Sequence, residues 1–121
     1  MSEETGKTVI FCNDAAGGLF PTLIMGSSAL SLDDEVLIFF CPAGAPALVK
    51  GELEKRQGTK GLPDPVEMFN TILELGGRIV LCELAYEAKD IAPEDVRDGV
   101  EVMNAPSFLL EAQGATLSLV F

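Results

Sequence analysis

Apolar and polar positions along this chain fall into short apolar runs separated by helix-period segments. Residues 7–12, 35–41 and 78–82 are near-continuous apolar stretches, rich in β-branched and aromatic side chains. Stretches of this kind fit strands covered on both faces, as in parallel sheets. Residues 115–121 instead alternate Leu117, Leu119 and Phe121 with Thr116 and Ser118, the pattern of a strand at the edge or end of a sheet. Residues 100–103 add a very short further strand.

Between the runs lie helical patterns. Asp64 and Pro65 open the strongest, as N-cap and first helical residue, with Val66, Phe69, Ile72 and Leu73 on one face. Gly76 and Gly77 stop it. Residues 20–32 and 104–113 predict two more helices, the latter capped by Asn104, and residues 83–89 form an Ala-bearing helical segment. The order β-α-β-α-β-α-β predicts an α/β fold: a three-layer α/β/α sandwich around a mainly parallel sheet of about five strands.

Composition narrows the function. A chain of 121 residues that is 48% hydrophobic suits one domain over residues 1–121. Its net charge of −11 repels phosphate backbones, so no nucleic-acid partner is expected. With no His, catalysis by a Ser-His or Cys-His pair is excluded, and the commonest transition-metal ligand is missing. Three Cys do not form the even set of a small secreted domain. The acidic opening Met1-Ser2-Glu3-Glu4 lacks the features of a signal peptide. Pro42, Gly44 and Pro46 break the longest apolar stretch, so no membrane span is expected. These features together point to a reduced, cytoplasmic protein.

The candidate chemistry is positional. Cys12, Cys41 and Cys82 each end a predicted strand, so a parallel sheet brings all three to its carboxyl edge, where such folds bind ligands. For Cys12 and Cys41 the plain reading is a small apolar residue closing a core strand. Cys82 stands at a strand-to-helix junction, where backbone N–H groups would favour the thiolate. Such a reactive thiol would be partly exposed. Three converging thiols, with Asp14 or Glu83, form an alternative Zn or Cu(I) set, though neither a Cys-x-x-Cys pair nor a His supports it. The turn over residues 13–18 carries two glycines but matches no phosphate-loop motif. Residues 50–64 hold Lys50, Lys55, Arg56 and Lys60, half of the basic residues. They read as a solvated loop or frayed helix, or as a mobile flap over the carboxyl edge. Seven acidic residues from Glu83 to Glu101 form a solvated face or a docking patch for a basic partner.

Cys82 after Arg78-Ile79-Val80-Leu81, the preceding Gly-Gly helix end, and the run Glu94-Asp95-Val96-Arg97-Asp98-Gly99-Val100-Glu101-Val102 resemble the DsrE/DsrF-like sulfur-relay family. The match is closest over residues 64–121. It implies a DsrEFH-like domain in which Cys82 is the catalytic residue, accepting sulfane sulfur as a persulfide and passing it on. Cys12 and Cys41 would be accessory residues at the same sheet edge. The resemblance further implies sulfur donor and acceptor proteins as partners, a homo-oligomer (trimer, hexamer or dimer), and neither cofactor nor metal. The alternative is a non-catalytic interaction subunit of the same fold with a structural Cys82. Where carrier members have basic residues after the Cys, this chain has Glu83, Tyr86 and Glu87. Oligomerisation has a second argument: Phe108, Leu109 and Leu110 are consecutive on one helix and cannot all face inward.

Overall fold

The computed structural model describes residues 6–121; the acidic opening lies outside them. Five strands, β1 (Lys7–Cys12), β2 (Glu35–Phe40), β3 (Arg78–Cys82), β4 (Glu101–Met103) and β5 (Leu117–Val120), form one sheet in the order β4-β3-β2-β1-β5. Every neighbouring pair is parallel. The alternating strand pattern of residues 115–121 ends up at one edge, beside β1, and the three-residue β4 forms the other edge. Four helices complete the layers: α1 (Leu19–Ser31), α2 (Pro65–Glu74), α3 (Ala85–Ala88) and α4 (Ala105–Glu111).

The strand order explains which helix lies where. From β1 to β4 the chain moves steadily in one direction, and right-handed crossovers then put the connecting helices on a single face. Accordingly Leu23 and Leu30 of α1, Phe69 and Ile72 of α2 and Ala85 of α3 share one cluster with Ile10, Ile38 and Ile79. The return from β4 to β5 reverses direction and carries α4 to the other face. There Phe108 packs with Val9, Leu37, Phe39 and Val80.

Local signals hold at the helix ends. The Asp64 carboxylate accepts from Val66 N (2.9 Å) and, at 3.4 Å, from Glu67 N. The Asn104 side chain accepts from Ser107 N at 2.8 Å, and Gly76 takes φ +90° after α2, a left-handed turn that a Cβ disfavours. The segment at 83–89 differs from expectation, because only one turn, α3, is helical. Glu83 N is still committed to the sheet through Met103 O (3.0 Å), and Asp90 at φ +51° ends the turn.

Residues 57–63 are the solvated loop expected, all of them exposed, but the segment before them is not a loose flap. Leu53 is fully buried, Arg56 donates to Ala16 O (2.9 Å), and Arg97 forks onto the Glu54 carboxylate at 2.9 Å through both nitrogens. One apolar anchor and these contacts pin the segment beside the β1–α1 turn.

At the opposite, amino edge, Arg78 bridges Glu101 (2.8 Å) and Glu111 (2.6 Å). The guanidinium, through its hydrogen bonds and then its charge, holds the Glu101 carboxyl below the usual carboxylate value. A depressed folded pKa contributes stability that is complete above the unfolded value of about 4.3 and is lost as pH falls through the lowered folded one. All three side chains are more than a third exposed, so Arg78→Met should cost no more than about 1 kcal/mol at neutral pH. Urea midpoints of wild type and variant should converge as pH drops below that window; a gap independent of pH would refute the ion-pair origin.

Candidate functional site

The carboxyl edge of the sheet gathers the nucleophiles. Cys12 and Cys82 are the last residues of β1 and β3, and Cys41 follows β2 directly. With all strands parallel, the three thiols lie at one edge, but they do not face one way. Side chains alternate along a strand: Cys12 falls with Ile10 on the face covered by α1 and α2. Cys82 falls with Val80, and Cys41 with Phe39, on the face covered by α4.

Cys12 is sealed. Its Sγ donates weakly to Asp14 O (3.6 Å), and Gly44 lies so close that a Cβ there would stand 3.2 Å from the sulfur. Thr22, wholly buried on α1, turns its hydroxyl toward this thiol and makes no full hydrogen bond. Burial pushes the Cys12 thiol up, and the Asp14 charge adds to this, against the smaller pull of the Thr22 and Asp14 contacts.

Cys82 is also buried, with 3% of its surface exposed, which corrects the expectation of a partly exposed thiol. Its neighbours in the cluster are Phe39, Val80 and Phe108. The strand-to-helix junction after it differs from expectation in two ways. The helix is a single turn, and Ala85 packs with the opposite face from Cys82. Cys41 is half-buried. Its backbone N donates to Cys12 O (3.0 Å), continuing the sheet past β2, and its carbonyl accepts from Gly44 N (2.8 Å). Burial raises the Cys41 thiol pKa, and negative charge at Cys82 and then at Cys12 adds to the rise.

Registers β2–β3 and β3–β4 pair Phe40 with Leu81 and Cys82 with Met103. One residue beyond Phe40, Cys41 therefore stands beside Cys82, and Met103 flanks Cys82 on its other side. All three pack with the α4-side cluster. Met103 was not legible as a site residue, because a three-residue strand carries too little pattern to reveal its register. Among the described residues no group of three Cys, Asp or Glu side chains could hold a metal ion. The turn of Cys12 to the far face dissolves the three-thiol set.

A cleft of about 740 Å³ opens beside this row, walled by Pro42, Leu84, Tyr86 and Val102, with carboxylates from Glu83 and Glu87. Pro42 and Glu83 directly follow Cys41 and Cys82, yet neither sulfur lines the cleft. Glu83 and Glu87 are exposed.

No family model matches the chain. An uncharacterized protein of Methanocaldococcus jannaschii, MJ0760, is 31% identical over 90 residues, covering 74% of this chain and 32% of that protein. The chain thus spans about a third of the length of this curated relative. The crystal structure of the ychN protein from E. coli is similar with a TM-score of 0.77 at 18% identity, over 97% of this chain and 100% of that one. A protein of unknown function from Methanobacterium thermoautotrophicum, MTH1491, gives 0.69 at 14% identity, over 94% and 98%. Both have the DsrE-like fold, and this chain shares it. The likeness reaches well beyond residues 64–121 into the first half of the chain.

Proposed function

We propose that this chain is a sulfur-relay protein in which Cys82 carries sulfane sulfur as a persulfide. The observation that supports this is the DsrE-like fold with a thiol at the end of β3, in a chain with no His to run other nucleophilic chemistry. The Cys82 thiolate attacks the outer sulfur of a donor persulfide R-S-SH. One S–S bond breaks as another forms, and R-S⁻ leaves; a partner's thiolate later takes the sulfur by the same exchange. No net oxidation occurs and no cofactor is required.

The protein works as a homo-oligomer on this reading, in the cytoplasm. Leu109 and Leu110, neighbours of the buried Phe108, are 59% and 65% exposed on α4, and Val120 is exposed on the edge strand β5. Together they leave apolar surface for a second subunit. Among the described residues, no helix is long and apolar enough to cross a membrane.

One observation favours the second reading, an interaction subunit with a structural Cys82: that thiol is buried in an apolar cluster. A native mass spectrum after polysulfide treatment separates the two. The carrier should gain the mass of one sulfur atom per subunit within a multimeric complex, and peptide mapping should place that sulfur on Cys82 at equilibrium; in Cys82→Ala any sulfur taken up should sit on Cys41. Serine is the poorer probe, because a buried hydroxyl costs about 1–3 kcal/mol. Sulfur that rests elsewhere than on Cys82 in the equilibrated wild type would overturn the assignment of Cys82.

A further inference from the structure

We propose that Cys41 is the port through which Cys82 exchanges sulfur with other molecules, so that the carrier site is a pair of thiols on adjacent strands. The proposal rests on the carrier reading of Cys82 and adds its route of access.

Three observations carry it. First, the register that pairs Phe40 with Leu81 sets Cys41 next to Cys82 when carried one residue on, and adjacent strands lie about 4.8 Å apart. A persulfide extends its outer sulfur about 2 Å past Sγ, so the transferred atom covers nearly half of the gap by itself. Second, Cys41 and Cys82 belong to the same face of the sheet, whereas Cys12 belongs to the other. Third, exposure differs: Cys82 is enclosed with Phe39 and Phe108, while Cys41 stays half-buried at the rim. A donor protein's sulfur reaches the rim thiol without unpacking α4. The charge effect at Cys41 agrees with this arrangement, since negative charge at Cys82 raises the Cys41 pKa.

The transfer balances as follows. The Cys41 thiolate attacks the outer sulfur of R-S-SH, forming Cys41-S-SH and releasing R-S⁻. The Cys82 thiolate then attacks that outer sulfur; the Cys41 S–S bond breaks, Cys82-S-SH forms, and Cys41 returns as thiolate. Delivery runs the same two steps backwards. Sulfur changes carrier at each step, and no outside oxidant or reductant takes part.

The test is a rapid-mixing pulse of sodium tetrasulfide on the full chain, quenched with monobromobimane and read by peptide mass spectrometry. Wild type should show sulfur on Cys41 before Cys82. In Cys41→Ser and Cys41→Ala, loading of Cys82 should slow ~10-fold or more, because the rim thiol that relays to a buried one is gone. The order of labelling in wild type stands even where a variant folds poorly. Cys82 loading first in wild type, or equally fast without Cys41, overturns the port and leaves the carrier reading intact. Sulfur on neither thiol, or on Cys41 alone at all times, overturns both.

Discussion

Phe108→Ala should destabilise the protein by about 3–5 kcal/mol, the range for emptying a buried aromatic site. Phe108 is the one buried residue of α4, and α4 is the helix packed with this side of the sheet. Its ring lies 4.5 Å from the Phe39 ring and 5.7 Å from that of Phe11, centroid to centroid. Removal leaves a cavity above Leu37 and Val80 and takes away α4's main attachment. Against a total stability of about 5–15 kcal/mol for a domain, that loss is about a fifth or more. Urea titration should show a lowered midpoint with an unchanged slope. Cys82 shares the cluster, so its native-state alkylation should quicken several-fold in the same variant. A loss below about 1 kcal/mol would mean that the face is held by something other than this ring.

Gly44→Ala should cost about 2–3 kcal/mol, and for a different reason. Its backbone, at φ −91° and ψ −17°, is ordinary for any residue. The obstacle is contact: a Cβ at this position would collide with the Cys12 carbonyl. That carbonyl cannot yield freely, because it accepts the Cys41 N–H at 3.0 Å. Relief must shift the rim turn that also holds the Cys41 carbonyl through Gly44 N. Sulfur loading of Cys41 should therefore change together with stability. Gly58→Ala is the comparison, since nothing lies within 4 Å of its added methyl and its strain is confined to φ +78°; about 1 kcal/mol is expected there. Equal costs at the two positions would show that collision with the Cys12 carbonyl is not what position 44 guards against.

The sequence by itself determined whatever depends on neighbours along the chain. Asp64, Asn104 and Gly76 mark helix ends because a cap acts within three or four residues. The apolar runs ending in Cys12, Cys41 and Cys82 marked strands covered on both faces, and the repeating β-α order then required one common carboxyl edge. That Leu109 and Leu110 could not both join Phe108 in the core follows from the 100° step between successive helical residues. Only the tertiary structure decided which face each cysteine takes. Within a strand, parity is legible, but the phase between parallel strands is set by crossover connections of 13 to 37 residues. A run buried on both faces carries no polar position to report that phase. The burial of Cys82 was hidden for the same reason: it depends on Phe108, a residue 26 positions away, brought over the sheet by the return crossover from β4 to β5. Residues 50–64 looked free because their charges dominate the pattern, while a single side chain, Leu53, anchors their first half by contacts with elements distant in sequence.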